Sequence, residues 1–259
     1  MISLTIADGI AEVVLDAPQK LNSLDEQALQ DLAQAYDDAA DAAARGEVRA
    51  LLLRGEGRAF CAGRDIAGVT PESDDAQAYL GGLVQPLLKK MSSFPAPTFA
   101  AAQGACLGVG LGLLLATDVV YVADTAKFGS PFAKLGATLD SGGHWYFTER
   151  LGMHRTLDLI YTAELMSGAE AVAQGLFSRA MPAEELLANT RGIVARVATG
   201  ATGAFNASKE LVAHIRDQRL GLWESMEEEN VEQARLCKSE DYAEGFLAFQ
   251  EKRSPVFKG

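Results

Sequence analysis

The sequence predicts an α/β fold. Strand-length apolar runs alternate with amphipathic helical stretches through about residue 180, with the rhythm of repeated strand–strand–helix units. From about Glu184 onward the pattern is helical only. No low-complexity linker separates the two regions, so the helical tail is expected to pack on its own core or on a neighbour.

Residues 2–6 and 10–16 read as two short strands joined by Asp8-Gly9, a hairpin-turn pair. A long helix follows from about Asp25 to Ala44. Ser23-Leu-Asp-Glu26 has capping-box spacing at its start, and Arg45-Gly46 closes it. Val48 to Arg54 reads as a buried strand. A second helix spans roughly Asp74 to Ser92, and Pro95 and Pro97 introduce another apolar run, Thr98 to Ala102. A glycine-rich turn then leads to a short helix ending near Asp118 and a strand from Val119 to Ala123. Glu227-Glu-Glu-Asn230 and Ser239-Glu-Asp241 fall on or between amphipathic helices of the tail.

Composition narrows the function classes. A chain of 259 residues with 48% hydrophobic and 22% charged residues builds a packed core. The longest apolar stretch, Ala105 to Ala116, is interrupted by glycines and is shorter than the ~18 residues of a membrane span. Met1-Ile-Ser-Leu-Thr5 lacks a signal-peptide pattern, so a cytoplasmic location and no membrane partner are expected. A net charge of −12 argues against nucleic-acid binding. Cys61, Cys106 and Cys237 form no C-x-x-C pair, and His144, His154 and His214 are dispersed, so no metal site is expected. A polyanionic ligand would need a local basic patch against the acidic background.

Two segments carry a resemblance to a known family. The first is Arg58-Ala-Phe-Cys-Ala-Gly-Arg-Asp-Ile66. The second is Gln103-Gly-Ala-Cys-Leu-Gly-Val-Gly-Leu-Gly-Leu-Leu-Leu-Ala-Thr-Asp118. Pro18-Gln-Lys-Leu-Asn-Ser-Leu24, Lys127-Phe-Gly-Ser-Pro131 and Phe249-Gln-Glu-Lys-Arg-Ser-Pro-Val-Phe257 support them in order and spacing. Together these resemble the crotonase (enoyl-CoA hydratase/isomerase) superfamily over almost the whole chain, closest to its 3,2-enoyl-CoA isomerase-like branch. The resemblance implies a spiral of strand–strand–helix turns over residues 1–200 and a helical oligomerisation region over 201–259. It further implies an acyl-CoA thioester as substrate, no permanently bound cofactor, and a homotrimer or a hexamer of paired trimers.

The physics of the glycine segment agrees. Gly104, Gly108, Gly110 and Gly112 surround a turn into an apolar helix, where free N–H groups and the helix dipole face a ligand. Taken alone, these glycines serve equally well for close helix–sheet packing. By resemblance, the two oxyanion-hole amides fall on Arg64 and Val109, where valine replaces the usual glycine without removing the donor. Resemblance also places CoA and substrate contacts at Lys20, Ala62, Asp65, Ile66, Gly108 and Phe132. Lys252 or Lys258 then reaches towards the ribose phosphate. For each lysine a solvated surface charge is the competing reading.

The two glutamates of family hydratases are missing: their positions hold Gly112 and Phe132. Without a carboxylate pair, standard addition of water is hard to sustain. Asp140, in Leu135-Gly-Ala-Thr-Leu-Asp-Ser-Gly-Gly143, stands where several family isomerases hold their acid/base. One carboxylate suffices to move a double bond, taking a proton beside the thioester carbonyl and returning it at the far carbon. Phe132, Leu139 and Trp145 are expected to make its surroundings partly apolar and to raise its pKa. Capping the helix that starts at Ser141-Gly-Gly is the competing role. His144 and Tyr146 follow as pocket-lining or packing groups, and Asp118 as a helix end. Hydration or thioester hydrolysis by non-standard residues remains an alternative activity, and non-catalytic acyl-CoA binding a third.

Overall fold

The computed structural model describes residues 1–259. Strands β1 (Ile2–Ala7) and β2 (Ile10–Leu15) pair antiparallel, and the turn residues Asp8 and Gly9 have φ of 52° and 76°. Two successive left-handed residues match the twist of a two-residue hairpin. From β2 the sheet continues in parallel through β3 (Ala50–Gly55), β4 (Thr98–Ala102), β6 (Val119–Ala123) and β9 (Arg179–Met181). A second sheet holds β5 (Ala105–Leu107), β7 (Lys127–Gly129) and β8 (Met166–Ser167).

The connections follow the expected strand–strand–helix rhythm. β4 leads to β5 and then helix α4 (Val109–Leu115); β6 leads to β7 and then α5 (Gly143–Thr162). Each turn takes one strand from each sheet and returns through a helix. The core between them includes Tyr36, Phe60, Phe128 and the run Leu51 to Leu53, all almost wholly buried. Cys61 and Cys106 sit inside it as small fillers, and burial pushes the Cys61 thiol up to about 12, out of the range of a reactive thiolate. No helix is long and apolar enough to cross a membrane.

Several boundaries differ from the sequence expectation, each for a local reason. Helix α1 (Glu26–Ala44) is capped by Asp25, whose carboxylate accepts the Ala28 N–H, so the Ser23–Glu26 capping box does not form. Glu26 becomes the first helical residue and complements the dipole instead. The expected 74–92 helix is divided into α2 (Ala76–Tyr79), a π-helical turn (Leu80–Val84) and α3 (Gln85–Ser92). Pro86 has no N–H to close an ordinary turn, and the widened turn absorbs that gap. Helix α4 stops three residues before Asp118. The Asp118 carboxylate accepts the Thr98 N–H at 2.8 Å and pairs with Lys209 at 2.9 Å, tying β4 to the C-terminal region instead of ending a helix.

The C-terminal part is helical, as expected. After the short helix α6 (Gly168–Ala173), helix α7 (Ala183–Ala198) covers the six-stranded sheet, and α8 (Thr202–Gln218), α9 (Leu222–Leu236) and α10 (Glu240–Glu251) follow. Arg49, just ahead of β3, anchors this region by donating to the carbonyls of Gly200 at 2.5 Å and Phe257 at 3.3 Å.

Candidate active site

Two backbone segments are laced together at the head of α4. The Cys61 N–H donates to Ala105 O at 3.0 Å, and the Leu107 N–H donates to Cys61 O at 3.0 Å. This brings Arg64, three residues beyond Cys61, beside the first turn of α4. Gly108 precedes that turn with φ 52° and ψ −121°, a backbone that L side chains avoid. A side chain there would also meet the Phe132 ring, 3.0 Å from the position of its Cβ. Gly108 thus lies against Phe132, and Gly63, the residue before Arg64, packs against Leu107 and Gly108. Neither the Arg64 N–H nor the Val109 N–H has an acceptor within the chain. Val109 is the first helical residue, so its N–H points along the positive end of the α4 dipole.

The Arg64 backbone is held from several sides. Leu24 N–H donates to Gly63 O at 2.8 Å, and Asp65 N–H donates to Leu24 O at 2.9 Å. The Arg64 guanidinium makes a two-pronged pair with Asp74, at 2.7 and 3.0 Å, and lies 4.1 Å over the Tyr79 ring. Behind this loop, buried Asn22 accepts the Ala17 N–H and donates to the carbonyls of Glu56, Ala59 and Phe60. The Asn22 clamp, the Asp74 pair and the Tyr79 stack are structural parts that sequence reasoning did not single out. Asn22 stood within a quoted motif; Tyr79 and Asp74 carried no signal of their own.

Asp140 approaches from the other side. The residue after it, Ser141, has φ 53°, and Gly142 has φ 82°, so the chain turns sharply before α5 begins at Gly143. The Asp140 carboxylate does not cap α5: only its carbonyl receives the Gly143 N–H, at 2.9 Å. Its Oδ1 accepts the Ser141 hydroxyl at 2.8 Å, and its other oxygen is free of partners. Burial raises the carboxyl above the ordinary aspartate range, against the pull of the Ser141 bond and of Arg64 and His144.

The Asp140 turn is pressed onto α4. A Cβ at Gly112 would lie 2.5 Å from Ser141 Cβ and 3.1 Å from Ser141 O. Gly112 is thus a contact point that lets the Asp140 turn seat. We expect Gly112→Glu to destabilise the fold by ~1–3 kcal/mol and to displace Asp140, without creating hydration. Denaturant unfolding and crotonyl-CoA turnover check both parts.

Other expected site residues fall less centrally. Ala62, Asp65 and Ile66 lie on the Arg64 loop, and Ile66 is 55% exposed. Lys20 donates to Asp65 at 3.0 Å and Asp25 at 3.2 Å, so its charge is matched by two carboxylates. Lys258 pairs with Glu240. Leu139 is buried near Asp140, whereas Trp145 is 39% exposed and stacks edge-on against Tyr146 beneath Arg216, away from the desolvating role expected of it. His144 is exposed, 3.4 Å from the Thr138 hydroxyl. Tyr146 instead lines a cavity of about 470 Å³ that opens beside Gly112 and Ser141 and runs along α2 and α3. No cluster of His, Cys, Asp or Glu is arranged to hold a metal ion.

The enoyl-CoA hydratase/isomerase family model matches residues 5–259. The chain belongs to that family. Within it, the chain is 35% identical to a Rhodobacter capsulatus protein named "Probable enoyl-CoA hydratase", over 98% of this chain and 96% of the other. It is 29% identical to the 1,2-epoxyphenylacetyl-CoA isomerase of Escherichia coli, over 98% and 97% of the two chains. The crystal structure of an enoyl-CoA hydratase from Bacillus anthracis superposes with a TM-score of 0.90 at 27% identity, covering 100% and 99%. The family's mixed α/β fold with a helical C-terminal region is the fold of this chain. Names among the relatives lean to hydratase, while this family member has no carboxylate at positions 112 and 132.

Proposed function

We propose that this enzyme shifts the double bond of an enoyl-CoA, with Asp140 as the single acid/base. The observation that carries the reading is a half-buried carboxylate with one free oxygen, seated against the helix whose first N–H is unpartnered. A thioester oxygen placed between the Arg64 and Val109 N–H groups would be stabilised as its negative charge develops, an effect of ~3 kcal/mol per donor. That acidifies the carbon beside the carbonyl. The Asp140 carboxylate takes its proton, the amides hold the dienolate, and the protonated acid returns the proton at the far carbon. Phe132 and Gly108 border the oxygen site, and the loop of Ala62, Asp65 and Ile66 with Lys20 carries the CoA portion. No bound cofactor takes part in these steps.

The relatives' names favour a second reading, hydration. The discriminating experiment is a panel of 3-enoyl, 2-enoyl and aromatic CoA esters. Isomerisation of a 3-enoyl ester raises the absorbance of the conjugated thioester, and hydration of crotonyl-CoA lowers it. Loss of crotonyl-CoA absorbance with an inert 3-enoyl ester would overturn the isomerase reading.

The raised Asp140 carboxyl sets the pH profile. The base form is needed, so kcat/KM should rise with pH through a value above the ordinary aspartate range. Ser141→Ala removes a bond that favours the charged form, so the acid limb should move to higher pH; an unmoved limb would remove Asp140 from the rate-controlling titration.

We also propose a trimer, or a hexamer of paired trimers, with residues 201–259 as the contact region and residues 1–200 as the catalytic core. Its helices expose Trp223 (71%) and Phe249 (84%), more apolar surface than a lone chain ordinarily shows. Sedimentation at one chain mass would exclude this assembly.

A further inference from the structure

The cavity beside Asp140 has a chemical character that the proposed reaction does not explain. It begins at Gly112 and Ser141 and is walled on its long side by one face of the α2–α3 run. Leu80, Val84 and Leu88 give that wall an apolar floor. Interleaved with them are Gln77, Gln85 and Lys89, and Tyr146 stands across the gap on α5. An alkyl chain makes no use of these polar groups, and none of their side chains has a hydrogen-bonding partner within the protein. Lys90, the next residue, is by contrast turned out of the cavity and paired with Asp37.

The charge balance is more telling. The chain carries 35 Asp and Glu against 23 Lys and Arg. Yet no carboxylate lines this cavity, and the one cation that does, Lys89, has no counter-ion. An unpaired ammonium among amide and hydroxyl groups, in a lining without a carboxylate, is an arrangement for an anion.

Position fixes which anion. Tyr79 lies under Arg64 and marks the thioester end of the α2–α3 run. Lys89 follows ten residues later, about 15 Å along a helix axis. A group at Lys89 is therefore on the acyl side of the reacting carbons, at the far end of the acyl chain from CoA. We propose that the preferred substrate carries a terminal carboxylate on a medium-length acyl chain, read by Lys89 with Gln85 and Tyr146 as neutral hydrogen-bonding partners. The assignment of the acyl end rests on the proposed thioester site, and it adds the substrate class to that reading.

The test compares two esters in the same assay: a medium-chain 3-enoyl-CoA, and its counterpart with a carboxylate in place of the terminal methyl. The wild-type enzyme should favour the carboxylate-ended ester in kcat/KM by about tenfold or more. Lys89→Met should collapse that ratio, Lys89→Glu should invert it, and Lys90→Met, at a lysine outside the cavity that is paired with Asp37, should leave it in place. Lys89 is exposed on a helix, so these variants are expected to fold. A wild-type ratio at or below one, or a ratio unmoved by Lys89→Glu, overturns the proposal while leaving the isomerase reading intact. If neither ester is turned over, the isomerase reading fails. Calorimetric binding of the same two esters to wild type and Lys89→Glu then decides the anion site: a preference that inverts with the charge supports it, and equal binding overturns it.

Discussion

Replacing Asp140 with Asn should lower kcat/KM for double-bond migration by ~10²–10⁴-fold, with binding of the CoA ester retained. Asn keeps the volume and the capacity to accept the Ser141 hydroxyl, so the turn that Ser141 and Gly142 make is preserved. Only the exchangeable proton site is lost. Isothermal titration with a saturated acyl-CoA measures binding separately from turnover. Near wild-type turnover in this variant would end the proposed mechanism.

Stability gives a second, independent signature of the same residue. Burial raises the folded-state pKa of Asp140 above its unfolded value. Its contribution to stability is therefore complete below the unfolded pKa and is lost as pH rises through the folded one. Above the folded pKa the native state holds an ion that burial disfavours. Asp140→Asn should be at least as resistant to unfolding as the wild type near neutrality, and this advantage should fade as pH falls through the folded pKa. A group kept for catalysis at the expense of stability behaves in this way; a capping carboxylate would be replaced without loss by Asn but would lose ~1 kcal/mol on replacement by Ala, so Asp140→Ala completes the comparison.

Much of the framework was legible in the sequence, because it rests on local pattern. Thr98 to Ala102 and Val119 to Ala123 are strands with the bounds their apolar runs mark. Asp8-Gly9 forms the turn its composition dictates. What the sequence hid depends on residues meeting across space. Asp25, rather than Ser23, caps α1 because its carboxylate reaches the Ala28 N–H. Asp118 looked like a helix end and instead joins β4 to α8. Lys20 looked like a free cation and is paired twice. The stack of Arg64 on Tyr79, with Asp74 behind it, joins residues of a loop and a helix that no single-chain periodicity connects. Asp140 itself was visible only as a choice between cap and catalyst. The carboxylate does not cap α5, and its second oxygen is left free for the proposed acid/base role.

The backbone donor at Val109 can be tested without touching a catalytic side chain. Val109 is the first residue of α4, a helical position where proline fits, since its missing N–H has no intrahelical acceptor. Gly108 ahead of it, with φ 52° and ψ −121°, has no Cβ to clash with a proline ring. Val109→Pro should therefore keep α4 while deleting one donor of the proposed oxyanion site. The expected loss is ~10²–10³ in kcat, about 3 kcal/mol of transition-state stabilisation. Val109 is almost fully buried, so some packing is lost as well, and an unfolding midpoint must be measured alongside. Val109→Ala supplies the comparison, because it trims the same packing and keeps the N–H. If the alanine and proline variants slow migration equally, the amide does no electrostatic work. If only proline slows it, the thioester oxygen is held at the head of α4. On the proposed mechanism, the carbon to be deprotonated would then lie between that amide and the Asp140 carboxylate.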